Sequence, residues 1–383
     1  MNKKNMFLLP FLSLSLLSSC VADSSSAESG ETYVTDSVNR KVAVKKGSYK
    51  RIVCIGAGAL RLYSYVGEAS LLAGVEDIDN ESLENRPKMF DGVARPYFIA
   101  YHEQFASLPS CGVGGPNAQN AEPEKILSCS PDLILSEYED ADKANALQEQ
   151  TGVPVLTLGY GSSGVFDQKV KDSLALLGKV LGKEEKASSL ISFIDSEKQE
   201  ISQRTEKVKE EDKPSVYLCG LGNWGTTNHL YTAQNYEPFN VAHIKNAVND
   251  LKVDGIQKID AEKFASIGES ADKIIIDAAA IKNIKPIYEE SKELFESTKA
   301  WQSGEVYLEM AYNAYYTNLE IALANTWYCA KIVYPSLFED IDIASKTDEV
   351  TNAFLGKRLY SEIAGYPSSF GGYQKINVKE FFQ

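Results

Sequence analysis

From about Lys50 onward, the chain alternates short apolar runs with longer stretches in which apolar residues recur every three or four positions. The runs RIVCIG (Arg51–Gly56), LLAGVE (Leu71–Glu76), LPSCGVGG (Leu108–Gly115), PDLILSEY (Pro131–Tyr138) and GVPVLTLGY (Gly152–Tyr160) are too short for helices and sit among turn residues. They predict buried strands, and SVYLCG, DKIIID and EVYLEM predict three more beyond residue 214. Leu60, Tyr63, Tyr65 and Val66 follow a glycine turn at helical spacing. Between Asp167 and Glu211 the pattern is helical throughout, with apolar positions at Leu174, Leu177 and Val180 and then at Leu190, Phe193 and Ile194. That spacing predicts a helix to about Leu181, a break at Gly182-Lys183 and a long helix to about Val208, closed by Lys213-Pro214.

The two halves share one grammar. AEPEKILSCSPDLILSE (Ala121–Glu137) and DAEKFASIGESADKIIID (Asp260–Asp277) each open with acidic residues in a first helical turn, where they favour the positive end of the helix dipole. Each then gives an apolar helix face, a Pro-Asp or Ala-Asp break and a strand. The expected architecture is α/β, two similar lobes joined by one long helix. Its segments are a leader at 1–19, a tether at 20–33, a first lobe at 34–166, a helical hairpin at 167–211 and a second lobe at 212–383.

The leader changes the picture. Lys3 and Lys4 precede a short apolar run from Met6 to Leu17, the layout of an export signal and too short to span a bilayer. Leu17-Ser18-Ser19-Cys20 resembles the lipobox of bacterial lipoproteins, which implies lipidation at Cys20, a membrane anchor and an extracytoplasmic location. The serine-rich stretch after Cys20 suits a flexible tether. Removing residues 1–19 takes away two lysines and no acid, leaving 37 basic against 53 acidic residues and a net charge of −16. Such a balance excludes nucleic acid as a partner and a polybasic membrane patch. Five cysteines remain (Cys54, Cys111, Cys129, Cys219 and Cys329), with no C-x-x-C pair. Cys54 and Cys219 fall in strand-like runs as small hydrophobes; a Cys111–Cys129 disulfide stays open.

Several segments together carry a family resemblance: VTDSVNRKVAVKKGSYKRIVCIGAGALRLYSYVGEASLLAGVE (Val34–Glu76), ARPYFIAY (Ala94–Tyr101), LPSCGVGGP (Leu108–Pro116), PEKILSCSPDLIL (Pro123–Leu135) and YNAYYTNLEIALANTWYCAKIVYP (Tyr312–Pro335). In order and spacing the chain is similar to the substrate-binding lipoproteins of ABC importers that take up siderophores, haem, corrinoids and related metal chelates. The resemblance implies the class III periplasmic-binding-protein fold, two Rossmann-like lobes joined by a single long bridging helix, with ligand in the cleft and little hinge motion. It further implies a monomer with no intrinsic cofactor, whose cargo is an iron chelate, haem or corrinoid and whose partners are an ABC permease and its ATPase. Family members carry a docking Glu in the first helix of each lobe. Here that place is Arg61 in the first lobe and Glu320 in the second, so Glu320 alone is a candidate for permease docking. Thr317-x-x-Glu320 also reads as a capping box, and the two roles can coexist.

In open α/β sheets, ligands sit beyond the carboxyl ends of the strands. Tyr312, Tyr315 and Tyr316 follow EVYLEM and lie off the apolar stripe of Leu319, Leu323, Trp327 and Ala330, so at least one of them is expected to face the cleft. A tyrosine ring packs on a planar ligand while its hydroxyl donates, accepts or ligates iron(III). The same topology brings the Gly56–Arg61 turn and RPYFIAYH to the cleft. Arg61 or Arg95 is placed to pair with an anionic chelate, the alternative for Arg95 being that it braces its loop. Tyr97, Tyr101 and His102 share that segment, and Trp224 in GLGNWGTTNHLY reaches in from the second lobe. His102, His229 and His243 share no metal-ligand spacing, and no metal site is expected. Catalysis is not expected either. Gly56-Ala57-Gly58, with Glu76 downstream, resembles a dinucleotide fingerprint whose third glycine position is Arg61, and GSSG (Gly161–Gly164) has no histidine placed to serve it. A surface lipoprotein that holds haem or another ligand without an importer is the remaining alternative.

Overall fold

A computed structural model describes residues 31–162, 164–222, 227–251 and 255–382. Cys20 and Trp224 lie outside the described residues. The first element is an antiparallel hairpin, β1 (Glu31–Thr35) with β2 (Lys41–Lys45). Backbone pairing therefore begins inside the stretch expected to be tether as far as residue 33.

Five parallel strands form the first lobe: β3 (Ile52–Ile55), β4 (Leu72–Glu76), β5 (Ser110–Gly112), β6 (Leu133–Ser136) and β7 (Val155–Thr157), in the order β5-β4-β3-β6-β7. Their sequences are apolar on both faces because both faces are covered. Ile52 and Cys54 point into the main core, whereas Val53 and Ile55 point into a second cluster with Ile126 and Leu147. The connecting helices are α1 (Ala59–Val66), α2 (Pro96–Ala106), α3 (Pro123–Ser128) and α4 (Ala141–Thr151). The segment RPYFIAYH, expected as a cleft loop, is mostly α2: Pro96 pre-sets its first turn and the helix runs on through His102.

Helix α5 (Gln168–Leu181) ends at Gly182, whose φ of 66° reverses the chain into α6 (Glu184–Thr205). At 22 residues α6 is about 33 Å long and bridges the lobes. It stops three residues before the expected Val208.

The second lobe starts with β8 (Ser215–Cys219), β9 (Tyr231–Ala233), α7 (Glu237–Val241), β10 (Lys245–Asn246), β11 (Ile256–Lys258) and α8 (Ala261–Ser270). It continues through β12 (Lys273–Asp277), α9–α11 (Ile281–Glu290, Lys292–Glu296, Lys299–Gln302) and β13 (Val306–Glu309). The last elements are α12 (Leu319–Val333), α13 (Ile343–Leu355), α14 (Tyr360–Gly365) and β14 (Gln374–Lys375). The sheet order is β10-β8-β12-β13-β14, with only β14 antiparallel.

The repeat seen in the sequence performs one task twice. Asp132 accepts the backbone N–H groups of Lys50 and Arg51, at 2.7 and 3.0 Å. Asp272 accepts that of Ser215 at 2.8 Å. In each lobe the aspartate before one strand fixes the chain entering its neighbour.

Two features differ from the sequence pattern. The sequence pattern marked one apolar stripe on α12, but thirteen of its fifteen residues are buried, because α6, α7 and α13 pack around it. In addition, α13 and α14, assigned by sequence to the second lobe, pack back on the first. Phe354 meets Tyr65 edge-on at 4.9 Å, and the Tyr101 hydroxyl donates to the Leu355 carbonyl at 2.9 Å. The main hydrophobic core consequently runs without a break from β3 through α12 to Tyr373.

All five described cysteines are buried free thiols. Cys129 donates to the Ser110 carbonyl, so Cys111 and Cys129 are not paired. Among the described residues, no helix is long and apolar enough to cross a membrane.

Candidate functional site

Both parallel sheets direct their carboxyl ends at the space between the lobes. There the loop after β13 folds into a tight turn: Ala314 N–H donates to the Tyr316 carbonyl at 2.9 Å, and Asn318 N–H to that of Tyr312 at 2.9 Å. Tyr315 and Tyr316 are consecutive left-handed residues, with φ of 53° and 73°. Each costs roughly 1–2 kcal/mol relative to a right-handed backbone, so other contacts must hold the turn.

Those contacts come from the first lobe. Arg61 on α1 is fully buried and donates to the carbonyls of Tyr315 (3.0 Å) and Ala314 (2.7 Å) and to Asn318 Oδ1 (2.9 Å). The Tyr315 hydroxyl donates to Glu76 Oε2 at 2.7 Å and accepts Gly115 N–H at 2.9 Å. Asn318 Nδ2 donates to the Ala94 carbonyl. This latch fastens the lobes on one side and drives Tyr315 into the first lobe. Its neighbour Tyr316 is thrown the other way, 38 % exposed, with its ring 4.4 Å from that of Tyr160.

What remains open is a cavity of about 440 Å³, walled by Tyr160 of the first lobe and by Tyr236, Glu237, Tyr312, Asn313 and Tyr316 of the second. Its four tyrosines divide into two kinds. Tyr160 donates to the Gly58 carbonyl at 2.9 Å and Tyr236 to Glu309 Oε1 at 2.8 Å, so these hydroxyls are committed to the protein. The hydroxyls of Tyr312 and Tyr316 have no partner among the described residues. Burial first, and then the carboxylates of Glu137, Glu139 and Asp167, push Tyr316 up to about 12. Burial, with Glu237 next, pushes Tyr312 up as well. Both stay protonated phenols and so act as hydrogen-bond donors more readily than as phenolate ligands of iron(III).

Glycines shape the walls. A Cβ on Gly58 (φ 89°) would meet the Tyr160 ring at 2.5–2.6 Å, and one on Gly164 would meet the Tyr312 hydroxyl at 2.3 Å. Gly58 and Gly164 therefore make room for side chains. The Gly56 N–H that would face a phosphate already donates to Glu76 Oε1 at 3.0 Å, which removes the physical basis of the dinucleotide fingerprint.

Several expected site residues are elsewhere. Arg95 is buried, paired with Asp79 at 2.5 Å and bonded to the Tyr97 hydroxyl at 3.0 Å, so it braces its loop. Tyr97 is buried with it, donating to Asp79 at 2.8 Å. Tyr101 reaches α13, and His102 lies 2.6 Å from Glu81, half exposed. Tyr315 and Arg61 form the latch. Glu320 is fully buried, accepts the Tyr65 hydroxyl at 2.7 Å and is raised by burial, so its carboxyl cannot present a charge to a docking partner. It caps nothing at Thr317 either. The N-cap is Asn318, and Thr317 bonds Asn313 instead.

Of the sequence candidates, Tyr312 and Tyr316 line the cavity. Tyr160, Tyr236 and Glu237 do so unannounced. Tyr160 had a signal, a tyrosine between glycines at a strand's carboxyl end, whereas Tyr236-Glu237-Pro238 opens a helix just after β9, a strand that the apolar runs did not predict. Among the described residues, no group of three or more His, Cys, Asp or Glu is placed to hold a metal ion.

Beneath the tyrosine loop, β12 and β13 end side by side on Asp277 and Glu309. Asp277 accepts the N–H of Ala279 at 2.8 Å and of Tyr312 at 3.3 Å. Burial raises Glu76 and Asp277 to about 7 and Glu309 to about 8. A carboxyl raised in the fold keeps a proton that the unfolded chain releases, so its stabilisation is complete at low pH and is lost as pH rises toward the folded value. His229, lowered to about 4 by burial, acts in the opposite sense below its ordinary 6.5. The clean window is therefore pH 6.5 to 8.5. Across it the melting temperature should fall by several degrees, and Asp277→Asn together with Glu309→Gln should roughly halve the slope, the rest belonging to Glu76 and to Glu137, which burial raises to about 8. A flat or rising wild-type profile would mean that these carboxyls are already ionised in the fold.

With this geometry in place, comparison with known proteins adds a lineage. The sequence profile described as "Periplasmic binding protein" matches residues 53–310. An uncharacterized ABC transporter substrate-binding lipoprotein of Bacillus subtilis is 28% identical over 138 residues, which span 34% of this chain and 42% of that protein. A periplasmic solute binding protein from Veillonella parvula superposes with a TM-score of 0.67 at 20% identity, covering 88% of this chain and 96% of that one. MolA, a molybdate periplasmic binding protein of Haemophilus influenzae, does so with a TM-score of 0.64 at 15% identity, covering 85% and 98%. At such identities these structures share the fold.

Proposed function

The chain belongs to the periplasmic binding protein family, and from that premise and the inter-lobe cavity we propose that it is the extracytoplasmic substrate-binding component of an ABC importer. In this role it captures a metal chelate, a siderophore complex, haem or a corrinoid, and delivers it to a permease and its ATPase while anchored to the membrane through lipid on Cys20. The observation that carries the proposal is the pair of unpartnered tyrosine hydroxyls, Tyr312 and Tyr316, in an aromatic cavity at the strands' carboxyl ends. Such a wall offers flat apolar faces and directed donors to a large complex, and none of its side chains is arranged for nucleophilic or acid–base chemistry. The burial of Glu320, with Arg61 in place of a glutamate in the first lobe, supports a second reading, a surface ligand-holding lipoprotein without an importer, because it removes the one docking carboxylate expected. Co-purification of a permease with the lipidated chain from its own membranes separates the two.

The test of the ligand is native mass spectrometry of the soluble 24–383 form, recovered from the medium of its own organism. The expected result is a non-covalent mass with an iron or cobalt isotope pattern, lost on denaturation. A clean apo mass, unchanged after ferric siderophores, haem and corrinoids are added, would overturn the proposal.

A further inference from the structure

The charges around the cavity carry the proposed function one step further, to the kind of complex it accepts. Among the described residues that line it, Glu237 is the only charged side chain. Its nearest cation, Lys198 on α6, stands 3.6 Å away and is shared with solvent. Around the opposite wall, Glu139 and Asp167 lie close enough to act on Tyr316, while burial raises Glu137 to about 8 and leaves it mostly neutral near pH 7. Lys169 pairs with Glu139 at 2.9 Å and lies near enough to act on Asp167 as well. The two guanidiniums that could have neutralised an anion are spent elsewhere, Arg61 on the latch carbonyls and Arg95 on Asp79.

An anionic complex brought here would lose water, find no cation among the described lining residues, and face Glu237 on one side and Glu139 and Asp167 on the other. A cation meets the opposite situation, because carboxylates and the negative faces of four tyrosine rings both attract it. A neutral complex pays neither cost and can accept hydrogen bonds from Tyr312 and Tyr316.

Resting on the chelate-receptor proposal above, we propose that the cavity selects metal complexes of zero or positive net charge that present hydrogen-bond acceptors to Tyr312 and Tyr316, and rejects polyanionic ones. Haem with ionised propionates and carboxylate or catecholate siderophores are thereby disfavoured, and hydroxamate-type iron complexes and corrinoids favoured.

The experiment is a titration of the soluble 24–383 form, followed by fluorescence quenching, with cationic ferrioxamine B, neutral ferrichrome and cyanocobalamin, and anionic ferric citrate, ferric enterobactin and haemin. At least one cationic or neutral complex should bind about tenfold or more tighter than every anionic one. Glu237→Gln should weaken ferrioxamine B severalfold while leaving ferrichrome nearly unchanged, a split that a purely structural role for Glu237 would not produce. Tight binding of an anionic complex, lost in Tyr316→Ala, would overturn the charge selection while leaving the receptor proposal intact. Binding of none of the six, with a clean apo mass from the native protein, would overturn both.

Discussion

Arg61→Ala should lower stability by about 3–5 kcal/mol, the range for removing one partner from a buried charged network. The side chain is fully buried on α1, and three acceptors depend on it: the carbonyls of Ala314 and Tyr315 and the Asn318 amide oxygen. Alanine leaves all three without a donor at the junction of the lobes. It also empties the space over the Tyr97 ring, where the guanidinium sits 4.9 Å from the centroid. Arg61→Lys should recover only part of the loss, since one ammonium cannot reproduce a planar fork aimed at three oxygens. The measurement is the urea midpoint, with the m-value compared to confirm a single transition. A loss below about 1 kcal/mol would mean that the latch is ornamental and that the left-handed turn holds itself. Ligand binding should fall too, because the backbone that aims Tyr316 is what Arg61 fixes.

Tyr316→Ala should do the reverse, leaving the fold intact and weakening ligand binding by roughly 10–100-fold, about 1.4–2.7 kcal/mol. The ring is part-exposed, and among the described residues its hydroxyl has no partner and its one close aromatic neighbour is Tyr160 at 4.4 Å. Losing that pair costs about 1 kcal/mol of stability at most. Alanine keeps the left-handed backbone under the same penalty, since the turn is held by its neighbours. Tyr315→Ala is the matched control. It removes a buried ring that donates to Glu76 and accepts from Gly115, so it should melt early and affect binding only through the fold. The check is a titration of each variant with the complex recovered by native mass spectrometry, beside its thermal melt. Equal binding by wild type and Tyr316→Ala would place the ligand away from this wall.

Adjacent tyrosines with opposite fates mark the limit of what the sequence discloses. The strands were legible because a run apolar on both faces has no stable place outside a covered sheet, and the hairpin of helices because Gly182 interrupts an unbroken helical period. The internal repeat was legible for the same kind of reason: an acidic first turn, an apolar helix face and an aspartate before a strand are local rules, obeyed wherever the chain meets them. So was the loop on which the tyrosines sit, since topology alone sends the segment after a parallel strand toward the cleft.

Which tyrosine lines the cavity, and whether an arginine was left free or bonded to a carbonyl, was decided by partners more than 200 residues away. Arg61 and Ala314 are neighbours only once both sheets have formed, as are Tyr315 and Glu76. The same holds for Glu320, a surface carboxylate by sequence, which is buried because α13 returns from the end of the chain to pack where solvent would have been. Length, periodicity and turn chemistry act within a few residues and determined the lobes, their bridge and the sheet edge where the cavity lies. Burial and hydrogen-bond pairing are properties of the packed whole, and these decided which side chains remain free to bind.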